Sequence, residues 1–155
     1  MKKITLLLLS SILLLGTVAC DNNAKTSSNA PDSPAESGKV VTDKTVQTDK
    51  KDATSQVRRD QLNADIRARE QRNLTGGGAD RANADLASEV RSKLEANIPA
   101  GQLTVTAKDG AVVVSGTVQI QEQLNKIDSL AKQIKGVKSV KVLARVSPSV
   151  PNEKR

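Results

Sequence analysis

Two alternating stretches that meet at a tight turn constrain the fold of this 155-residue chain more than any other feature. In residues 103–108 and 111–118 apolar side chains take every second position, which is the pattern of strands with one buried face. Asp109-Gly110 separates the two stretches, and this pair favours the positive φ angles of a two-residue hairpin. The pattern therefore predicts an antiparallel β-hairpin.

Helical periodicity flanks the hairpin on both sides. Leu86, Val90 and Leu94 fall at i, i+4 and i+8, and a second apolar stripe follows the hairpin at Ile120, Leu124, Ile127, Ala131 and Ile134. Residues 139–146 then alternate again as a third strand. The order predicts an α+β fold, an αββαβ small sandwich in which two helices pack on one face of a three-stranded mixed sheet. Its core is wholly aliphatic.

The first 19 residues have the composition of a signal peptide. Lys2-Lys3 precedes an apolar run over residues 4–18, which is shorter than the roughly 20 residues that a membrane span needs. The run ends in Gly16-Thr17-Val18-Ala19-Cys20, which resembles the lipobox of bacterial lipoproteins, with Thr17 where that family usually has Leu. The resemblance implies that Cys20 becomes the acylated first residue, and therefore a lipid-anchored protein of the cell envelope with its domain in the periplasm. The alternatives are an ordinary signal peptide followed by an unmodified Cys, and an uncleaved membrane anchor.

The remaining segments lack a regular apolar period. Residues 20–54 are rich in Asn, Ser, Thr, Asp, Lys and Pro, which predicts a disordered tether. Residues 55–78 combine good helix formers with Gly76-Gly77-Gly78, which predicts a partly helical linker with a glycine hinge. We interpret its arginines as a solvated helix face rather than a lipid contact. Residues 148–155 begin at Pro148 and are predicted to be a disordered tail.

Composition excludes several classes of site. The chain has no His, no Phe, Tyr or Trp, and one Cys. It therefore has no imidazole base, no histidine or multi-thiolate metal site, and no aromatic platform for stacking nucleic-acid bases. We predict a non-enzymatic protein with no catalytic residue, no metal, no cofactor and no nucleic-acid partner.

The hairpin region resembles the BON (bacterial OsmY and nodulation) domain family. The resemblance lies in Asp109-Gly110-x-Val112-x-Val114-x-Gly116-x-Val118, followed by Gly136-Val137-x-x-Val140, and places one copy of the domain at residues 79–147. It implies an αββαβ fold, an envelope location and binding to phospholipid membranes, without a catalytic residue. Gly110, Gly116 and Gly136 match the family glycines. We interpret them as a turn, a close packing of strand against helix, and a helix stop, with a glycine-built ligand loop as the alternative.

Six basic residues lie close together in the last part of this region. They are Lys126, Lys132, Lys135, Lys138, Lys141 and Arg145. Their positions fall on the exposed side of the second helix, in the turn after it and on the outer face of the last strand, so we predict one basic edge that binds anionic phospholipid. The alternative is a solvated charged surface on a small soluble domain.

These features predict a membrane-anchored envelope lipoprotein whose BON domain binds phospholipid surfaces, with a role in envelope maintenance or stress response. The alternative is a scaffold module in the periplasm that binds an envelope protein. In that case the partner would use the sheet face that the helices leave uncovered, where Val113 and Leu143 offer apolar contacts.

Overall fold

A computed structural model describes residues 23–36, 38–75 and 82–151. The elements in chain order are β1 (Ala24–Lys25), α1 (Asp43–Thr54), α2 (Gln56–Thr75), α3 (Asn83–Asn97), β2 (Gln102–Lys108), β3 (Ala111–Val118), α4 (Gln121–Lys132), β4 (Ser139–Val142) and β5 (Arg145–Val146). The predicted signal peptide, Cys20 and the three-glycine hinge lie outside the described residues. None of the helices in the described ranges is both long enough and apolar enough to cross a membrane.

The sheet is built around the predicted hairpin. β2 and β3 pair antiparallel, and the turn residues Asp109 and Gly110 have φ angles of 52° and 87°. Positive φ at both positions matches the twist of the flanking strands. β4 and β5 both pair parallel with β3, and paired residues differ by the same number of positions in both cases. The two strands are therefore successive parts of one interrupted strand beside β3. The α+β class and the αββαβ order are thus confirmed, while β1 and β5 enlarge the predicted three strands to a five-stranded mixed sheet.

The core lies between one face of this sheet and the helices α3 and α4. It contains only aliphatic side chains, and Leu94 of α3 and Ile127 of α4 are completely buried in it. The other main contributors are Leu86, Val90, Ile98, Leu103, Val105, Val112, Val114, Val118, Ala131 and Ile134. The backbone N–H of Asp109 donates to Asn83 Oδ1 at 2.8 Å, which fixes the start of α3 beside the hairpin turn.

The segment predicted as a disordered tether contains regular structure, which corrects that prediction. Residues 23–36, here called the N-terminal strap, begin with β1 beside β2 and continue across the sheet face opposite the helices, while α1 covers Asp43–Thr54. The Thr26 N–H donates to the Leu103 carbonyl oxygen at 2.9 Å, and Thr104 Oγ1 donates to the Pro31 carbonyl oxygen. These contacts are polar and join residues that are far apart in the sequence. The strap therefore has no apolar periodicity from which its docking could be predicted.

The predicted linker also packs more closely than expected. α2 runs antiparallel to α3 and buries Leu62. Ion pairs join the two helices along their length, from Arg58–Glu95 (2.6 Å) at one end to Arg72–Asp85 (3.0 Å) at the other. Since Arg58, Arg69 and Arg72 are held by carboxylates of α3, α2 is a docked helix rather than a solvated linker.

The predicted disordered tail is hydrogen-bonded, at Val150, to the residues that precede and begin α1. The Val150 N–H donates to the Val41 carbonyl oxygen at 3.0 Å, and the Val150 carbonyl oxygen accepts from the Asp43 N–H at 2.9 Å. The bridge between Thr42 and Val150 therefore joins the end of the domain to the start of α1.

Asp65 lies at the centre of the contact between α2 and α3, and it makes this contact sensitive to acid. Its carboxylate accepts from Ser92 Oγ (2.8 Å), Arg69 Nε (3.0 Å) and Arg91 Nη2 (3.2 Å). Burial opposes the ionised form, but the Ser92 hydrogen bond and the two guanidinium charges outweigh it and hold the pKa of Asp65 below its ordinary value of 3.8. A depressed pKa contributes stability that is present above the unfolded-state pKa and is lost as the pH falls through the folded-state value.

We therefore expect the thermal stability of the chain to contain an acid-sensitive component below about pH 4 that Asp65→Asn removes. Circular-dichroism melting at a series of pH values measures it. Asp60→Asn is the matched control, because Asp60 is exposed on the same helix and accepts only from Gln56 Nε2 among the hydrogen bonds of the described residues. An identical acid response in the two variants would contradict this role for Asp65.

Candidate functional site

The six predicted basic residues are all exposed, but the structure divides them between two ends of the sheet. We call the end that carries Asp109-Gly110 the hairpin end, and the end where β3 finishes at Val118 the far end. The first residue of β4, Ser139, pairs with Ala111 at the hairpin end, whereas Arg145 pairs with Thr117 at the far end. Eight residues of β3 separate the two ends by about 23 Å.

The direction of α4 completes this division. The helix begins at Gln121, shortly after the far end of β3, and ends at Lys132, shortly before β4. Lys126 lies midway along the helix. The residues that follow α4 return the chain to the hairpin turn, where the Lys138 N–H donates to the Gly110 carbonyl oxygen at 2.8 Å. The predicted single edge is thus corrected to a group at the hairpin end, with Lys126 and Arg145 removed from it.

Two of the predicted lysines are neutralised by neighbours on their own helix. Lys126 Nζ lies 2.6 Å from Glu122 Oε1, and Lys132 Nζ lies 2.8 Å from Asp128 Oδ2, both at i, i+4 spacing. The hydrogen bond and the charge of Lys126 lower the pKa of Glu122, so this carboxylate remains ionised beside the lysine. These pairs leave little charge on the exposed side of α4 to attract an anion.

The hairpin end carries the larger surplus of positive charge. Lys138 extends over the turn: a Cβ on Gly110 would lie 2.8 Å from its Cγ and Cδ. Lys108 is exposed where β2 meets the turn, directly opposite Ala111. Lys141 projects from β4 two residues beyond Ser139, and Lys135 belongs to the turn that follows α4. Lys108, Lys138 and Lys141 form no ion pair with any residue of the described ranges.

We call Lys108, Lys135, Lys138 and Lys141 the hairpin-end lysines. The sequence did not predict Lys108 as part of this group, because the predicted basic residues all lie between Lys126 and Arg145 and Lys108 precedes them. The signal that identifies Lys108 is its position immediately before the hairpin turn. The register of β3 with β4 then brings the start of the last strand to the same place.

The three predicted structural glycines all have positive φ angles. Gly110 (87°) lies in the hairpin turn, and Gly136 (96°) lies in the turn after α4. Gly116 (113°) faces β2 so closely that a Cβ would lie 1.9 Å from the Gln102 carbonyl oxygen. The close approach at Gly116 is therefore between two strands, where the sequence had predicted contact between a strand and a helix.

The sheet face opposite the helices is largely occupied, which changes the alternative prediction of a free face for a protein partner. The N-terminal strap lies across it, and Gln102, Thr104, Ser115 and Thr117 are buried there. Val113 is half-buried, and Leu143 retains 39% of its exposure. Leu143 borders a cavity of about 460 Å³ between the strap, β3 and β5. What remains open on this face is a limited depression at the far end.

Three acidic residues, Asp65, Asp85 and Glu95, serve the packing of α2 against α3. Glu95 is buried between Arg58 and Arg91, with contacts of 2.6 Å and 3.0 Å. The Glu95 hydrogen bond raises the pKa of Arg58 above its ordinary value, against the opposing effect of burial. No group of three or more Cys, Asp or Glu side chains in residues 23–36, 38–75 and 82–151 is arranged to hold a metal ion.

Comparison with known proteins supports the resemblance read from the hairpin. Residues 82–148 match the family model of the BON domain, in one copy, which confirms the predicted family of this region. The chain is also similar to the osmotically-inducible protein Y of Escherichia coli (strain K12), with 45% identity over 56 residues. The similarity covers 35% of this chain and 28% of the length of that protein.

Proposed function

We propose that the BON domain at residues 82–148 is the lipid-contacting part of a non-enzymatic envelope lipoprotein. The hairpin-end lysines bind anionic phospholipid head groups, and an acylated Cys20 holds the chain on the membrane. The observation that carries this proposal is the cluster of four exposed lysines around a single turn, three of which have no ion pair in the described part of the chain. The similarity to an osmotically-inducible protein supports a role at the envelope during osmotic stress.

The expected strength of this contact is modest and depends on charge. Each basic residue near an anionic surface contributes about 1 kcal/mol, and the attraction decays within a Debye length of about 10 Å at 0.1 M salt. The chain has no aromatic residue to insert at a membrane interface, so we expect the domain to have little affinity for uncharged lipid. A lipid anchor raises the effective concentration of head groups near the domain, so that even this weak attraction keeps the lysines at the surface.

We test the proposal by vesicle flotation of the mature chain in its acylated form and as Cys20→Ser. The acylated chain is expected to float with neutral and anionic vesicles alike. The Cys20→Ser chain is expected to float only with anionic vesicles, and less as salt increases. Changing all four hairpin-end lysines to Glu in the Cys20→Ser chain should abolish its flotation, while leaving the aliphatic core unchanged.

The matched control reverses four exposed lysines elsewhere, so the net charge changes equally. The control lysines are exposed and lie outside the BON domain; they are Lys39, Lys44, Lys50 and Lys51. Equal losses in the two reversed chains would show a general charge effect and no hairpin-end site. If the unreversed Cys20→Ser chain ignores anionic vesicles at low salt, the lipid proposal fails. The second candidate, a protein partner at the far-end depression beside Leu143, would then replace it.

A further inference from the structure

We propose that the N-terminal strap sets the orientation of the domain on the membrane, with the hairpin end toward the lipid. This inference rests on the proposed anchor at Cys20 and adds to it the end of the domain that faces the membrane. A disordered tether would have let every face of the domain reach the bilayer. A docked strap removes that freedom, because the chain meets the domain within a few residues of the anchor.

The strand register determines the direction in which the chain leaves the domain. β1 pairs antiparallel with β2, with Ala24 opposite Val105 and Lys25 opposite Thr104. Followed back toward its N-terminus, the chain therefore runs along β2 toward Lys108 and the hairpin turn. Cys20 precedes Asn23 by three positions, and three residues span at most about 11 Å. Cys20 can therefore lie no more than about 11 Å from Asn23, and Asn23 precedes Ala24 on the side of β2 that is nearer the hairpin turn.

Several hydrogen bonds hold the strap in this position. Thr26 bonds to the chain around β2 through its backbone and its side chain. Its N–H donates to the Leu103 carbonyl oxygen (2.9 Å), and its Oγ1 accepts from the Leu103 N–H (2.9 Å). The Oγ1 also donates to the Gly101 carbonyl oxygen at 2.6 Å, with the Leu103 carbonyl oxygen at 3.3 Å. Asn23 Nδ2 donates to the Asp32 carbonyl oxygen at 2.6 Å, and Lys25 pairs with the Asp32 carboxylate at 2.8 Å. These bonds tie the first described residue to the body of the strap.

Two independent features therefore point to the same end of the molecule. The N-terminal end of β1 points toward the hairpin turn, and the hairpin-end lysines surround that turn. The far end, with Arg145, lies about 23 Å away along β3, beyond the range over which exposed charges act in physiological salt. The domain is thus expected to stand on the membrane with its hairpin toward the head groups and its far-end depression toward the periplasm.

Position-specific fluorescence tests this orientation in the acylated full chain. Because acylation consumes the thiol of Cys20, a single new Cys carries the label. Ala111→Cys places it at the hairpin end, and Gln121→Cys places it near the far end; both residues are exposed. In vesicles that contain lipids with a quencher on the head group, we expect several-fold stronger quenching at position 111 than at position 121, on neutral as well as anionic membranes.

The strap is tested by lengthening the chain between the anchor and Asn23. A flexible Gly/Ser insertion of about 20 residues after Asp21 adds a coil reach of about 25 Å without altering any described contact. On neutral vesicles it should abolish the difference between the two labels, while on anionic vesicles the lysines should preserve part of it. The same insertion after Pro151 is the control and should change nothing.

The outcomes separate this inference from the proposed function. If the acylated chain remains on vesicles but the two labels are quenched equally, or position 121 more strongly, the orientation is refuted and the anchor stands. If the insertion after Asp21 leaves the difference unchanged on neutral vesicles, the strap does not set the orientation. A chain that is not retained on neutral vesicles at all refutes the Cys20 anchor itself.

Discussion

Replacing Gly116 with alanine is expected to lower the free energy of unfolding by at least about 3 kcal/mol, since it combines backbone strain with a steric clash in the central strand pair. Gly116 has a φ of 113°, where side chains are rarely tolerated. A Cβ there would lie 1.9 Å from the Gln102 carbonyl oxygen. Relief requires β2 and β3 to separate where Leu103 pairs with Gly116, which breaks the hairpin on which the sheet is built.

Denaturant unfolding followed by circular dichroism measures this effect. Gly101→Ala is the matched control, because the φ of Gly101 is not positive and a Cβ there would lie 3.1 Å from Ile98 Cγ2 and 3.1 Å from the Ile98 carbonyl oxygen, which is far less close than the contact at position 116. We expect a small effect for Gly101→Ala and a chain that is largely unfolded for Gly116→Ala. A loss below about 1 kcal/mol at position 116 would show that the two strands move apart easily, contrary to the close pairing seen here.

Shortening Ile127 to alanine is expected to cost about 2–5 kcal/mol, because the transfer free energy of the side chain is lost and a cavity remains. Ile127 is completely buried and joins α4 to the sheet. A domain of this size has a small core, so a loss in this range removes much of its net stability. Leu94→Ala on α3 should have a similar effect, since Leu94 is buried to the same extent.

The neighbouring Lys126→Ala provides the control on the same helix. Lys126 is exposed, and its only ion pair in the described residues is with the exposed Glu122, so we expect a change within about 0.5 kcal/mol. Equal melting temperatures for Ile127→Ala and Lys126→Ala would contradict the placement of α4 on the sheet.

The fold of the BON domain was largely predictable because its signals are local. Asp109-Gly110 specifies a turn through backbone conformation, and alternation on either side specifies strands with one buried face. The stripes around Leu94 and Ile127 specify helices that pack against that face. Each of these patterns lies within about fifteen residues of chain and needs no knowledge of its partner.

The N-terminal half was not predictable in the same way. The strap and α2 are held by hydrogen bonds and ion pairs such as Thr26 to Leu103 and Arg58 to Glu95. These partners are 77 and 37 positions apart in the chain. A polar segment with such contacts has the same composition as a solvated one, because composition does not reveal where a hydrogen bond is made. The apolar side chains buried in this half, among them Leu62 and Val41, are too few and too widely spaced to form a periodic stripe.

By itself, the sequence determined the hairpin, the two apolar helix stripes, the aliphatic core and the excess of lysine over acid late in the chain. Only the tertiary structure decided which lysines share a surface. The parallel register of β3 with β5 carries Arg145 to the far end, and its register with β4 brings Lys138 and Lys141 to the hairpin end beside Lys108. Likewise, only the pairing of Ala24 with Val105 shows that β1, followed back toward its N-terminus, points toward that end. The physical reason is that periodicity is a property of neighbouring residues, whereas strand register depends on backbone hydrogen bonds between distant ones.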